Sequence, residues 1–334
     1  MNNEEEKALR IKKRKRKEKL MFFGCIFFMC LSVALMIVYF VTKDSTKVVT
    51  IDEESKERVY GVIIDGDTSV ARHAGLQESY INYEMLGNDG QTKILALYKD
   101  RKSAIIGPVT SLDHYFLDIA KEHAAIVTSY GVSNYADELV KENKYETING
   151  KVYPQAFMQD KKIPSHNIYT DSDKMEKVAK EKNYDKKASS WEVFKYSSSE
   201  VSFADDKDSK KATYINIKYN TNETREYKYD NVSHSYLRLN NGLKDIDRQT
   251  EEQLSFKNII IIYLKANTIT DDNILDFNLV GEGEGYYITN GYMKTIKWKK
   301  SSKKSKTKYT YKDGKELELN DGNTIVQIVP KESE

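Results

Sequence analysis

An uninterrupted apolar segment near the N-terminus constrains this chain more than any other feature. It runs from Leu20 to Val41, 22 residues with no charge, no proline and a single glycine. About 20 apolar residues in a helix cross the bilayer core of roughly 30 Å, and a helix satisfies its own backbone hydrogen bonds inside lipid. We therefore predict a single transmembrane helix over residues 20–42.

The charges beside this segment predict its orientation. Eight lysines and arginines lie between Arg10 and Lys19, opposed by Glu18 alone, whereas only two lysines follow closely on the other side. Because basic flanks remain in the cytoplasm, we expect residues 1–19 to form a cytoplasmic basic tail. The membrane lipid is then a partner through the anchor, and the C-terminal domains lie outside the cell membrane.

A cleaved signal peptide is the alternative to an anchor. The apolar run exceeds the usual signal core of about 7–15 residues, and no small-x-small cleavage site follows it. Too few apolar residues precede Cys25 for a lipoprotein signal, and Cys30 lacks a small residue before it. The sequence therefore favours an uncleaved signal-anchor.

The composition of the outer part excludes several function classes. Residues 43–334 carry 44 basic and 47 acidic side chains, which is not the basic footprint of a nucleic-acid-binding protein. Both cysteines lie in the apolar segment, so the outer part has no thiol nucleophile and no disulfide. The five histidines show no zinc spacing. We expect no metal, no cofactor and no nucleic-acid partner.

Hydrophobic periodicity divides the outer part. Residues 43–58 are polar and predict a stalk, and residues 59–184 alternate strand and helix patterns, typical of an α/β or α+β domain. Residues 185–211 are rich in Lys, Ser and Asp and predict a linker. Residues 212–330 show period-two alternation and hairpin turns, which predict a mainly antiparallel β domain. Of the 24 tyrosines, 23 lie outside the apolar segment, and strand composition explains them better than sugar stacking.

Several elements of the first domain are predicted individually. Strands are expected at Tyr80–Leu86 and Thr92–Tyr98, joined by the turn 87–90. A helix is expected over Leu112–His123, capped by Ser111.

Strings from both halves resemble one protein family. They are GVIID (61–65), INYEML (81–86), TKILALY (92–98), IGPVTS (106–111), YLRLNNG (236–242) and GEGEGYYITNG (281–291). In this order and spacing, over residues 59–330, the chain resembles the YerB-like extracytoplasmic lipoproteins of Gram-positive bacteria. The resemblance implies an N-terminal domain and a C-terminal β domain of unknown function, attached to the membrane on its outer side.

The sequence departs from the family pattern at positions where the family tends to carry other charged, histidine or proline residues. These positions are His73, Thr110, Asp113, His114 and Asp245–Ile246. The departures weaken a catalytic interpretation.

Two carboxylates and a histidine are the catalytic candidates. Asp65 ends the first strand and Glu84 lies within an otherwise apolar strand, and a pair of carboxylates serves as acid and base on a glycan. His166 lies in an irregular loop, where binding residues are common. A buried carboxylate usually has a charged partner, for which Arg72 is the candidate, so we expect structural pairing of Glu84 ahead of catalysis.

Further residues are predicted to bind a ligand. The predicted binding residues are Arg72, His166, Asn167, Tyr169, Arg238 and Asp247. Arg238 and Asp247 flank the turn 240–242 and are expected to form an ion pair. His114 and Asp118, one helical turn apart, form either a proton-transfer pair or a solvated helix face.

The sequence supports two functions. The first is a non-catalytic binding or scaffolding module of the cell envelope, engaging cell-wall glycan, peptide or a membrane protein in peptidoglycan assembly or remodelling. The alternative is a hydrolase or lyase that acts on an envelope glycan polymer through carboxylates. A sensor is disfavoured because the inner tail of 19 residues contains no domain.

Overall fold

A computed structural model describes residues 3–44, 55–186, 192–269 and 274–331. The chain forms two compact units, Met1–Val48 and Val49–Glu334. The first unit consists of helix α1 (Asn3–Asp44). By length and composition, its stretch Lys12–Met36, with a mean hydropathy of 2.1, qualifies as a membrane span. The helix also continues through the basic residues that the sequence assigns to the tail.

The second unit contains the predicted helix of residues 112–123, which starts later than expected, together with further helices. Those described are α2 (Tyr115–Glu122), α3 (Asn134–Asn143), α4 (Ser172–Glu181) and a 3₁₀ turn at Pro154–Ala156. The N-terminus of α3 is capped by Ser133, whose hydroxyl accepts from the Ala136 amide at 3.3 Å. The predicted cap of α2 by Ser111 is wrong. The Ser111 hydroxyl instead accepts from Lys93 Nζ at 3.1 Å, and the helix begins after His114.

Strands account for most of the remaining regular structure. In chain order they are β1 (Tyr60–Asp65), β2 (Ile81–Leu86), β3 (Thr92–Tyr98), β4 (Ile126–Ser129), β5 (Thr147–Asn149), β6 (Met158–Gln159), β7 (Ile168–Tyr169), β8 (Lys195–Tyr196), β9 (Lys210–Lys211), β10 (Tyr214–Lys218), β11 (Thr224–Asp230), β12 (Ser235–Asn240), β13 (Leu243–Lys244), β14 (Ser255–Phe256), β15 (Asn258–Ile269), β16 (Ile274–Phe277), β17 (Gly281–Thr289), β18 (Tyr292–Lys300), β19 (Lys308–Tyr311), β20 (Glu318–Leu319) and β21 (Thr324–Lys331). The predicted hairpin between β2 and β3 is present.

One mixed sheet runs through the second unit. Its strand order is 19-18-17-15-21-2-3-1-4-5, with β16 paired to β15 and β9 to β18. The last strand, β21, is parallel to both of its neighbours: Val326 pairs with Tyr83 of β2 and Ile260 of β15. Most of β21 is buried, as expected for a parallel strand that is covered on both faces.

Side chains alternate between the two faces of this sheet and build separate cores. Ile63 and Leu95 pack on one face with the residues of α2. Their neighbours Val62 and Ile64 pack on the opposite face with the residues of α4. A third cluster joins the main sheet to a five-stranded sheet of β10 to β14. The fold-class prediction is confirmed: mixed and antiparallel β structure follows an N-terminal apolar helix.

The two regions predicted as domains are joined in the structure. Strands from residues 59–184 and from residues 212–330 share the main sheet and form one compact unit. Within residues 185–211, the described part supplies β8 and β9, and its Phe194 and Phe203 are buried in the core. Burial of these two aromatic side chains holds the segment against the sheet, because exposing them to water would cost free energy. Residues 187–191 lie outside the described part.

The end of the predicted stalk and many of the tyrosines are buried in the second unit. Residues 45–54 of the stalk are not among those described, but Arg58 at its end is buried and paired with Glu146. Ten tyrosines are buried in the second unit, at positions 80, 83, 98, 115, 169, 219, 227, 236, 287 and 309. These ten contribute to packing, as strand composition predicts.

Candidate functional site

Glu84 lies at the centre of a buried ion network. Its side chain on β2 has no exposed surface, and neither has that of Arg225 or Arg238. Arg225 Nε donates to Glu84 Oε1 at 2.6 Å, and Arg238 Nη1 donates to Oε2 at 2.7 Å. The predicted partner, Arg72, is wrong, but the expectation that Glu84 is structurally paired agrees with this geometry.

Neutral groups complete the hydrogen bonding of the carboxylate. Thr92 Oγ1 donates to Glu84 Oε1 at 2.9 Å, and Gln327 Nε2 donates to Oε2 at 2.8 Å. Burial by itself would raise the pKa of Glu84, but the two guanidinium groups overcome it and hold the pKa far below its usual range. Glu84 is therefore an ionised structural group, not an acid or base within reach of solvent.

The network continues to a buried histidine. Arg238 Nε donates to Asp245 Oδ2 at 2.8 Å, and His73 Nδ1 lies 2.9 Å from Asp245 Oδ1. Burial opposes charge on both partners, yet their mutual attraction raises the pKa of His73 and lowers that of Asp245 to about 2. His73 Nε2 lies 2.7 Å from the carbonyl oxygen of Asp65. Charged pairs thus connect the two halves of the sequence.

Asp65 and His166 meet where this network approaches the surface. His166 Nδ1 is in direct contact with Asp65 Oδ2, and the histidine side chain is 30% exposed. The other oxygen of Asp65 accepts from the Asp67 amide at 3.1 Å. Between them, Gly66 is required because a Cβ there would lie 2.1 Å from Thr92 Oγ1. Two catalytic candidates therefore adjoin, whereas both carboxylate oxygens of Glu84 are bonded to its own buried partners.

Among the predicted binding residues, Arg72, Arg238 and Asp247 each have contacts of their own. Arg72 pairs with Glu251 on the surface. The predicted ion pair between Arg238 and Asp247 is wrong, since Arg238 pairs with Asp245 and Glu84. Asp247 instead accepts from the backbone amides of Gly75 at 2.9 Å and Gln249 at 2.7 Å, which is the usual role of an aspartate in a turn.

Two further predicted binding residues have structural contacts. Asn167 Nδ2 donates to the carbonyl of Ile163 at 2.7 Å, inside the same loop. Tyr169 is buried, and the guanidinium of Arg248 lies 5.0 Å from its ring centroid. Neither side chain is presented to solvent, and a binding role for them stays a prediction.

A pocket that the sequence did not reveal lies between α2, α3 and the β15–β16 hairpin. It has a volume of about 330 Å³, and its lining includes His114, Tyr135, Tyr145 and Phe277. His114 Nε2 lies 2.9 Å from Asp276 Oδ1 on the hairpin. The proposed partner Asp118 instead accepts from the Tyr145 hydroxyl at 3.2 Å. The aromatic residues were visible in the sequence, but nothing in their spacing connected α2 to a strand more than 150 residues away.

Within the described ranges, no group of three or more His, Cys, Asp and Glu side chains is arranged to hold a metal ion. The glycines of GEGEG (281–285) lie within strand β17. They therefore do not form the glycine-rich turn before a helix that binds dinucleotides. Gly283 lies so close to Trp298 that a Cβ at this position would be 2.8 Å from Trp298 Nε1.

Comparison with known families resolves the resemblance. The N-terminal domain model of a protein family of unknown function, DUF3048, matches residues 45–185, and its C-terminal domain model matches residues 215–326. The chain belongs to the DUF3048 family. The two models correspond to the two sequence regions that here share one sheet.

The DUF3048 relatives include a Bacillus protein. The chain is 26% identical over 281 residues to "Putative lipoprotein YerB" of Bacillus subtilis (strain 168), covering 83% of this chain and 82% of that protein. A crystal structure of YerB from Bacillus subtilis shares the fold, with a TM-score of 0.73 and 23% identity over 86% of this chain and 97% of that one. The predicted YerB-like family is confirmed. With the apolar helix, the relative indicates a membrane-anchored or extracellular protein.

Proposed function

We propose that this DUF3048 protein is a single-pass envelope protein whose C-terminal unit binds or scaffolds components of peptidoglycan assembly or remodelling. The basic residues before the apolar segment favour a cytoplasmic N-terminus. The partners are cell-wall glycan or peptide, or a membrane protein of wall assembly. No chemical step is assigned to the site.

The state of the candidate carboxylates supports binding over catalysis. Both oxygens of Glu84 are bonded to buried groups, whereas a glycosidase needs a carboxylate that reaches its substrate. The pocket beside α2 offers concave surface, aromatic side chains and polar groups, and its two carboxylates, Asp118 and Asp276, are hydrogen-bonded to other side chains of its lining. Binding sites for small ligands have this character.

Retention on isolated envelope material tests the binding function. Full-length protein in mild detergent is incubated with purified cell wall and, separately, with solubilised membrane proteins, and the bound fraction is measured. We expect saturable retention by at least one of the two. Absence of retention by both contradicts the proposal, with heat-denatured protein as the control for non-specific adsorption.

Protease treatment of intact protoplasts tests the topology. With the N-terminus inside, an added protease removes the C-terminal unit and leaves a membrane-embedded fragment of α1. If the C-terminal unit survives while the protoplasts remain sealed, and is digested only after lysis, the orientation is wrong.

The contact between Asp65 and His166 favours one alternative, a hydrolase or lyase acting on an envelope glycan. A partly exposed histidine held by a carboxylate is suited to proton transfer. Incubating isolated wall with the full-length protein separates the two functions. Released fragments that disappear with His166→Gln favour the enzyme, and retention without fragments favours the binding module.

A further inference from the structure

The pocket between α2, α3 and the β15–β16 hairpin has fixed walls. The contact between His114 and Asp276 joins α2 to the hairpin, and the Leu275 amide donates to Asn88 Oδ1 at 2.8 Å. The rings of Tyr115 and Phe277 pack with their centroids 5.1 Å apart. The pocket is therefore formed before any ligand binds, which reduces the entropic cost of binding.

The volume of the pocket suits a small ligand. At about 330 Å³ it lies near the lower end of ligand sites, which span about 300–1,000 Å³. A sugar-sized group fits this space, whereas a folded partner does not. Tyr135 and Tyr145 are half-buried in its lining. Tyrosine presents a flat apolar face with a polar tip, and such a face complements the C–H surface of a sugar ring.

The pocket is lined by more lysines than aspartates. Its two aspartates already have partners, Asp118 through the Tyr145 hydroxyl and Asp276 through His114. Its three lysines, at positions 121, 303 and 304, are exposed and form no close salt bridge with any residue that the structure describes, although the charge of Lys303 acts on Asp276 from a longer distance. The Nζ of Lys121 lies 5.2 Å from the ring centroid of Tyr145, so a cation lies beside an aromatic surface. The three lysines outnumber the two aspartates, so the net charge of these five side chains is positive.

We propose that this pocket binds a sugar unit that carries a carboxylate, with the ring against Tyr135 and Tyr145 and the carboxylate among the three lysines. The inference rests on the proposed function, and specifies which component of an envelope polymer the C-terminal unit recognises. A neutral sugar satisfies the tyrosines but leaves the lysines unpaired. A simple anion does the reverse.

Two sugars that differ by one acidic group test this inference. Full-length protein in detergent micelles is titrated calorimetrically with N-acetylmuramic acid, with N-acetylglucosamine and with glycerol 3-phosphate. Contacts between exposed charges are individually weak, so with more than one lysine at the carboxylate we expect the acidic sugar to bind about tenfold more tightly than the neutral one. Glycerol 3-phosphate, which lacks the ring, is expected to bind more weakly than the acidic sugar.

Variants assign the binding to this pocket. The triple change of Lys121, Lys303 and Lys304 to Ala removes the preference for the acidic sugar. The matched control changes three exposed lysines outside the pocket, Lys207, Lys228 and Lys312, to Ala and retains the preference. Tyr135→Ala should weaken the binding of both sugars by a similar factor. Thermal unfolding of each variant confirms that it is folded.

Three results overturn the inference: equal affinity for the two sugars, a preference that survives the pocket lysine variant, or glycerol 3-phosphate binding as tightly as the acidic sugar. The wall-retention assay separates this failure from that of the proposed function. Wall retention that is unchanged in the pocket variants refutes the pocket alone, whereas absence of retention of the unmodified protein by both the wall and the membrane proteins refutes the function.

Discussion

Replacing Glu84 by Gln removes one charge from the centre of the buried network while preserving shape. The five groups bonded to the carboxylate all donate: Arg225 Nε, two nitrogens of Arg238, Thr92 Oγ1 and Gln327 Nε2. The glutamine amide introduces a donor opposite these donors and leaves Arg225 and Arg238 with less compensating charge. Both effects oppose folding.

The expected cost follows from burial. Removing one partner of a fully buried ion pair costs about 3–5 kcal/mol, because the remaining charge stays desolvated. Domains of this kind are stable by only about 5–15 kcal/mol, so Glu84→Gln is expected to remove a large fraction of the free energy of unfolding. Any loss of binding in this variant then reflects unfolding.

Urea unfolding followed by the fluorescence of Trp298 measures this cost, since that residue is buried in the core. We expect a lower midpoint with an unchanged slope. Glu251→Gln is a matched control: Glu251 and Arg72 are also 2.6 Å apart, but their side chains are 70% and 54% exposed. Exposed pairs contribute little, so this control should shift the midpoint only slightly. Equal shifts in the two variants would refute the argument from burial.

Three further predictions concern the same unit. Because the pKa of His73 is raised, its pair with Asp245 stabilises the fold fully below pH 6.5, the ordinary pKa of histidine, and this stabilisation is lost as the pH rises through the folded-state pKa. The urea midpoint should therefore fall above pH 6.5. His73→Gln should abolish that pH dependence. The lowered pKa of Asp245 gives the opposite slope: stabilisation present above about pH 4 is lost as the pH falls toward about 2. Gly283→Ala should displace Trp298, cost about 1–3 kcal/mol of stability through overpacking and shift the maximum of tryptophan emission. Glu284→Ala, at the neighbouring exposed position, should leave the emission spectrum unchanged. An unaltered spectrum in both variants would contradict the contact between Gly283 and Trp298.

Local sequence patterns predicted much of the secondary structure. Strand β3 occupies the predicted range Thr92–Tyr98, and β2 begins one residue after its predicted start at Tyr80. These features depend on neighbours within a few residues, where periodicity and capping are effective guides. The start of α2 was misjudged because Ser111, a plausible cap, is engaged by a lysine from β3.

The candidate site was less accessible to such reasoning. Glu84 was correctly singled out as a charge on an apolar strand, but its partners lie 141 and 154 residues further along the chain. Alternation indicates which face of a strand is buried, yet it does not specify which distant side chains cover that face. The sequence shows Lys303 and Lys304 in a basic segment, but their place at the pocket likewise follows from no local pattern.

The sequence alone determined the apolar helix and most strand positions, since the length of an apolar run and its period are local properties. Only the tertiary structure decided that β21 lies between β2 and β15 and so joins both halves in one sheet. It also decided that Glu84 meets two arginines and that His114 meets the β15–β16 hairpin. These pairings depend on the free energy of burying particular distant groups together, which no window of sequence contains.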